Sequence, residues 1–357
     1  MTAVSGEVEG AGSQNRISVV LATYNGEKFL REQLLSLSSQ TVPPRELIVS
    51  DDGSSDSTLD IIETYAVTAP FPVCIVKHAG PAGYANNFLS ACEHATGKWI
   101  AFCDQDDIWH PEKIETCQRA LSRPDALACA HTVKLIDAAG TQIGHFNQAI
   151  SVRGKSIFQG PWYAYLGMSL AFDRQLLQIL VNSDETRGLD PDTGKLGLGH
   201  DKWICFLAES LGSVALIPQP LASYRLHGAN LSMSNDSLKR RTIQWSRLAG
   251  MPAVRGLRRV TIARYRHLLL KAIAQKDETE ASRSKLGGEA RRWKAVAQHE
   301  GLRLKCYQTP GMSKRFGLLS KLIMQGAYRP ADNGGLGGLV VMKDLLIGVL
   351  RLRRVKV

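Results

Sequence analysis

The chain has 357 residues, 44% of them hydrophobic and 22% charged. That composition excludes a wholly disordered, collagen-like or disulfide-scaffold protein, and the length predicts one large domain or two smaller ones. The net charge of +11 is unevenly placed: residues 236–357 hold 27 Lys+Arg against 8 Asp+Glu, a net of +19, and residues 1–235 carry a net of −8. Such asymmetry suggests an acidic catalytic or metal-binding body and a basic region for an anionic partner.

Residues 1–15 are polar and Gly-rich and read as a disordered lead-in without the character of a secretory signal. From Ile17, strand and helix alternate. ISVVLA (17–22), ELIVS (46–50), VCIVK (73–77) and KWIAFC (98–103) read as buried strands. Helices follow each: to about Ser39, after Ser57, over Tyr84–Ala95, and from near Pro111. The pattern predicts an α/β domain with a mostly parallel sheet flanked by helices.

The second half is less regular. Residues 126–144 read as a hairpin and MSLAFD (168–173) as a strand leading into a helix. Residues 182–199 read as a mobile loop, and a helix is expected from His200 to Leu211. SVALIP and PLASYRLH read as two strand-like runs within 213–227. Basic helices are expected over 236–275 and 282–300, with a break near 309–312. On a helix, Arg255, Arg259 and Arg266 fall within about 40° of one another. The seven cysteines form no C-x-x-C pair and read as buried reduced thiols.

Three polar clusters directly follow three of the first four strands: Thr23-Tyr24-Asn25, Asp51-Asp52-Gly53-Ser54 and Asp104-Gln105-Asp106-Asp107. In a parallel sheet they would meet in the crevice outside the carboxyl ends of the strands, where such sheets hold ligands. Crowded carboxylates repel, and a hard divalent cation, Mg2+ or Mn2+, relieves that while also binding phosphate oxygens. Asp56 reads instead as a turn or helix-start residue.

With their order and spacing, these runs resemble the family 2 glycosyltransferases of the GT-A fold over about 17–232. The parts are ISVVLATYNGEKFLREQLLSLSSQT, ELIVSDDGSSDST, GYANNF, DQDDIWHPEKI, GHDKWICFLAESLG and PLASYRLHGANLS. The DQDDIW form and the YRLHGANLS ending are most similar to the bacterial rhamnosyltransferase-like group. The resemblance implies that Thr23, Tyr24 and Glu27 lie where the nucleotide binds and that Asp51 and Asp52 contact base and ribose. It implies that Asp104 and Asp106 form the DxD motif, with Asp106 and His227 as metal ligands. Asp201 falls where the family places its general base. Trp203 reads equally well as an acceptor-stacking ring or as core, and Trp109 as core or wall.

The resemblance thus implies a GT-A domain over 16–235 and a basic helical region over 236–357. It implies inverting, metal-dependent transfer from a nucleotide-sugar donor, with rhamnose suggested, to a saccharide or lipid-linked acceptor in bacterial surface-polysaccharide synthesis. The weighed alternatives are a sugar-phosphate nucleotidyltransferase and a non-enzymatic binder of anionic polymers. The first lacks a Gly-rich basic phosphate loop after the first strand. Nucleic-acid binding is disfavoured because no recognised motif accompanies the basic helices.

Leu339–Leu350 is apolar but too short to span a membrane, and Lys343 and Asp344 interrupt it. Followed by Arg351, Arg353, Arg354 and Lys356, it suggests a cytoplasmic enzyme in peripheral contact with the anionic inner face of the cell membrane. The sequence does not fix the oligomeric state.

Overall fold

A computed structural model describes residues 16–77, 84–146, 165–181, 200–227, 252–276, 280–329 and 334–351. The lead-in 1–15, the loop 182–199 and the basic end beyond Arg351 lie outside the described residues. By packing, the chain forms two compact units. The first comprises Met1–Asn147, Leu166–Gln178 and Val214–Arg225, and the second Gln148–Tyr165, Ile179–Ser213 and Leu226–Val357.

The first unit is built on β1 (Ile17–Thr23), β2 (Glu46–Asp51), β3 (Val73–Lys77) and β4 (Trp99–Asp104), which lie in the order β3-β2-β1-β4 and pair in parallel. Strands β1 and β2 and most of β4 are buried, which is why they read as unbroken apolar runs. Helices α1 (Leu30–Ser38), α2 (Thr58–Thr68), α3 (Tyr84–Cys92) and α4 (Lys113–Leu121) connect or follow these strands. In α1 the buried Leu30, Gln33, Leu34 and Leu37 follow the i, i+3, i+4, i+7 spacing of a helix with one face on a sheet.

Beyond β4 the sheet turns antiparallel. It continues through β8 (Leu170–Asp173), β6 (Ala126–Ile136), β9 (Ser213–Arg225) and β5 (Ile108–Trp109). Strand β7 (Gln142–Phe146) pairs with β6 as the expected hairpin, and α5 (Gln175–Val181) follows β8. The two runs expected within 213–227 are one strand. Pro218 and Pro220 remove two backbone donors but keep the chain extended. Six cysteines are buried, but Cys74 is exposed on β3, the end strand of the sheet order.

The second unit contains α6 (His200–Leu211), α7 (Pro252–Lys276), α8 (Glu280–Gln308) and α9 (Met312–Met324). It ends with α10 (Leu339–Lys343), which runs into a π-helical turn over Asp344–Val349. Helix α7 carries arginines that the helical repeat puts on one face, and that face is not simply solvated. Arg266 is buried, its guanidinium 4.3 Å from the Phe206 ring and 4.5 Å from that of Trp293. Arg259 pairs with buried Glu300 at 3.4 Å. Part of 339–350 is likewise held inward, although Met342 and Leu350 are exposed. Its Asp344 is buried and accepts bonds from Arg303 Nε and Nη2 (2.7 and 2.9 Å), Tyr307 Oη (2.8 Å) and Tyr328 Oη (2.8 Å). Among the described residues no helix is long and apolar enough to cross a membrane.

Candidate active site

The register sets the site. Thr23 at the end of β1 lies opposite Asp51 of β2, and Ala22 lies opposite Asp104 of β4. The three polar clusters therefore leave the sheet side by side at its carboxyl edge. The chain's path reverses direction across the sheet here, between β1 and β4, where an α/β sheet opens a crevice.

Hydrogen bonds weave the three loops together. Thr23 Oγ1 donates to Asp51 Oδ1 at 2.7 Å. Asp51 Oδ2 accepts from the amides of Gly53 (3.0 Å) and Ser54 (2.7 Å), and its Oδ1 also accepts from Ser54 Oγ (2.6 Å). Asp51 is buried, so its carboxylate shapes the β2 loop. Asn25, with φ +46 in the left-handed region that asparagine tolerates, donates its amide to Ser54 Oγ (2.8 Å). Its Oδ1 accepts the Ser55 amide (2.9 Å). Asn87 of α3 is buried and donates from Nδ2 to the Ser50 carbonyl (3.0 Å) and the Thr23 carbonyl (3.4 Å).

Gln105, between Asp104 and Asp106, ties the β1 and β4 loops in both directions. Its Oε1 accepts the Tyr24 amide at 2.9 Å and its Nε2 donates to the Tyr24 carbonyl at 3.0 Å. Gly26 leaves room for this amide, since a Cβ there would stand 2.6 Å from Gln105 Cδ. Gly26→Ala is expected to displace the side chain, break both bonds and cost about 1–2 kcal/mol. Urea unfolding of the variant measures this, and an unchanged midpoint would contradict it.

Glu27 and Asp56 share a second tie. Asp56 Oδ2 accepts the Glu27 amide (3.2 Å), and Glu27 Oε2 accepts the Ser57 amide (3.0 Å) just before α2. Asp56 Oδ1 also accepts the Thr58 amide (3.0 Å), the helix-start role expected of it. Burial alone raises the Asp56 pKa, but the bonds from Thr58 and the Glu27 amide outweigh it and leave it below the usual value.

Asp104 and Asp106 are half-buried at the carboxyl edge of the sheet. Asp107 is different. It is fully buried, its Oδ1 accepts the Arg225 amide at 3.0 Å, and burial, reinforced by Asp106 and Asp104, pushes its pKa well up. The fully buried Lys113 donates to the Met168 carbonyl (2.7 Å), with Nζ 3.4 Å from the centre of the Trp109 ring. Burial lowers its pKa to about 8, partly opposed by Cys117, Cys103, Asp107 and Asp104. Trp109 is buried, as core or wall.

The structure also reveals Arg225 as a hub. Its guanidinium is buried, donating to the Asp106 carbonyl from Nε (2.9 Å), to the Ala138 carbonyl from Nη1 (3.3 Å) and to Glu32 Oε2 from Nη2 (2.7 Å). It also stacks 4.6 Å from the Phe29 ring centre. Gln105, Asn87 and Arg225 all lie inside the motifs quoted from the sequence, yet sequence reasoning gave none of them a role.

Of the expected site residues, the first unit thus gathers Thr23, Tyr24, Glu27, Asp51, Asp52, Asp104 and Asp106. Thr23 and Asp51 are buried in its framework, Asp52, Asp104 and Asp106 are half-buried, and Glu27 is exposed. The Tyr24 ring is 58% exposed and offers a flat surface at the rim. Asp201 and His227 belong to the second unit. Asp201 is half-buried in the first turn of α6, and its Oδ1 accepts the Lys202 amide at 2.8 Å. Beside it, burial pushes the His200 pKa down to about 4, with Asp201 opposing. Trp203 is core, packed edge-on against Phe206 and Tyr265 at 5.5 and 5.7 Å.

Among the described residues no three His, Cys, Asp or Glu gather as a metal cage. Asp104 and Asp106 nonetheless suit Mg2+ or Mn2+ in kind. They are hard oxygen donors at the sheet edge, too few to fill a coordination sphere, which leaves places for phosphate oxygens and water.

A parallel core extended by antiparallel strands, with acidic loops at its carboxyl edge, makes this an α/β protein with its candidate site at the sheet edge. Residues 18–188 match the model of Glycosyl transferase family 2, and they are a domain of that family. An uncharacterized glycosyltransferase of Nostoc sp. is 28% identical over 228 residues, covering 61% of this chain and 67% of its own. The putative glycosyltransferase EpsH of Bacillus subtilis is 28% identical over 214 residues, covering 59% and 61%. The putative teichuronic acid biosynthesis glycosyltransferase TuaG of the same organism is 33% identical over 100 residues, covering 28% and 39%. The chain thus spans two thirds of the length of the first relative, about three fifths of the second and two fifths of the third.

Proposed function

We propose that the chain is an inverting glycosyltransferase that moves a sugar from a nucleoside-diphosphate sugar to a hydroxyl of a saccharide or lipid-linked saccharide. The observation that carries this reading is the bonding of the β1, β2 and β4 loops into one frame that leaves Tyr24, Asp52, Asp104 and Asp106 accessible. An exposed aromatic ring can stack on a base, and a carboxylate can accept the hydroxyls of a ribose. In this reading Tyr24 and Asp52 take the nucleoside, with Thr23, Glu27 and Asp51 holding their loops in place. Asp104 takes the ribose–diphosphate side. Asp106 would hold Mg2+ or Mn2+, which when bound stabilises negative charge on the diphosphate, and His227 is a metal ligand on the family motif alone.

Asp201 acts as general base. It takes the proton of the acceptor hydroxyl as that oxygen forms its bond to the anomeric carbon. The bond from that carbon to the diphosphate oxygen breaks, its electron pair leaves with the nucleoside diphosphate, and the configuration inverts. The assignment rests on the family motif and on the place of Asp201 in the first turn of α6. A role in surface-polysaccharide synthesis draws on the likeness to TuaG. Rhamnose as the sugar draws on the DQDDIW and YRLHGANLS runs.

A hydrolysis screen of the purified chain against nucleotide sugars with Mg2+ or Mn2+ tests the proposal. Turnover of a narrow set of donors that stops on chelation is expected. Failure to turn over or bind any of them would overturn it.

A further inference from the structure

Helix α9 carries an outward face that the proposed chemistry does not use. Its inward side is fixed firmly. Leu319 and Leu322 are buried, and Leu319 belongs to a core cluster with Cys306 and Val349. Buried Arg315 donates from Nε and Nη2 to the Val349 carbonyl (2.9 and 2.7 Å) and from Nη1 to the Thr309 carbonyl (3.4 Å). The helix therefore cannot roll to hide its other side without stranding a buried guanidinium.

That other side is apolar. Met312 is 58% exposed, Phe316 51%, Ile323 53% and Met324 80%. At 100° per residue, Met312, Phe316 and Ile323 fall within about 40° of one another along one edge of the exposed arc. The arc then passes Ser313, Gly317 and Ser320, which are small, and ends at exposed Lys314 and Lys321. Arg351, also exposed, joins the amino end of the helix through its Nη2 bond to the Thr309 carbonyl at 3.3 Å.

Charge decides between occupants. Residues 309–329 contain Lys314, Arg315, Lys321 and Arg329 and no acidic residue. A second copy of the chain, meeting this face across a two-fold axis, would set lysines against lysines with no carboxylate on the helix to pair them. An anionic bilayer supplies both needs: phosphate headgroups for the lysines and a hydrocarbon boundary for the Met, Phe and Ile side chains.

We propose that the outward face of α9 docks on an anionic lipid surface. The sequence points to Leu339–Leu350 for such contact, but Asp344 and Val349 of that stretch are buried in the helical unit and help to hold α9 in place. The inference rests on the second unit alone and does not depend on the reading of the crevice.

The test is sedimentation of the full chain, at low salt, with phosphatidylcholine vesicles and with vesicles of phosphatidylcholine and phosphatidylglycerol in equal parts. Binding to the second and not the first is expected. Phe316→Ser with Ile323→Ser should lower the bound fraction roughly tenfold or more. Lys314→Glu with Lys321→Glu should lower it and weaken its dependence on salt. All four positions are exposed, so both variants should unfold at the wild-type temperature. Nucleotide-sugar hydrolysis without vesicles reads the crevice separately in the same proteins. Three results would overturn the proposal: no binding to the anionic vesicles, binding unchanged in both variants, or a wild-type dimer in light scattering that Phe316→Ser dissociates.

Discussion

Asp201→Asn is expected to lower sugar transfer by ~10²–10⁴-fold, the usual worth of a general base. Donor binding should stay as it is. The substitution is nearly isosteric, and an asparagine oxygen can still accept the Lys202 amide that Asp201 Oδ1 accepts at 2.8 Å. The first turn of α6 is therefore kept and the thermal midpoint should not move. What is lost is the ability to take a proton from an acceptor hydroxyl. Transfer to a supplied acceptor, read beside calorimetric binding of the nucleoside diphosphate, separates the two effects. Near-wild-type transfer would reduce Asp201 to a helix-terminal residue.

Arg225→Ala is expected to cost about 3 kcal/mol of stability, since it removes a charged donor from two carbonyls and a carboxylate inside the fold. One of those carbonyls belongs to Asp106, so the loss should also reach the crevice. Arg225→Lys keeps the charge but has no planar fork to reach Asp106, Ala138 and Glu32 together. It should recover part of the stability and leave metal-dependent nucleotide affinity roughly tenfold weaker, about 1.4 kcal/mol. Glu32→Gln gives the control, because it touches only the partly exposed end of the network. Urea midpoints and calorimetry on the three variants decide the matter. A positioning role predicts that Arg225→Lys loses affinity and Glu32→Gln does not, whereas a purely structural role predicts that both keep wild-type affinity.

The parallel core was legible because buried strands leave long apolar runs, and ISVVLA, ELIVS and KWIAFC have few other readings. The meeting of Thr23, Asp51 and Asp104 was legible for the same reason, since a parallel sheet brings the carboxyl ends of its strands to one edge. The ties between the loops were not. Gln105 reaches Tyr24 across 81 residues of chain and Arg225 reaches Asp106 across 119, and no local pattern marks such partners. Periodicity also states which residues share a face, without stating what covers it. Arg259 and Arg266 do share one, yet Glu300 meets the first and two aromatic rings enclose the second. Asp344 misled in the same way. In sequence it breaks an apolar run, and in the fold it is the buried anchor of that run.

The central claim is that the carboxyl edge of the parallel core holds a nucleoside diphosphate through Asp106 and a divalent cation. Calorimetric titration of the wild type and Asp106→Ala with a series of nucleoside diphosphates, with and without Mn2+, tests it most directly. The account predicts binding of one of them to the wild type that strengthens with Mn2+, and loss of that strengthening in Asp106→Ala with the protein still folded. Metal-dependent affinity unchanged by the substitution would contradict it.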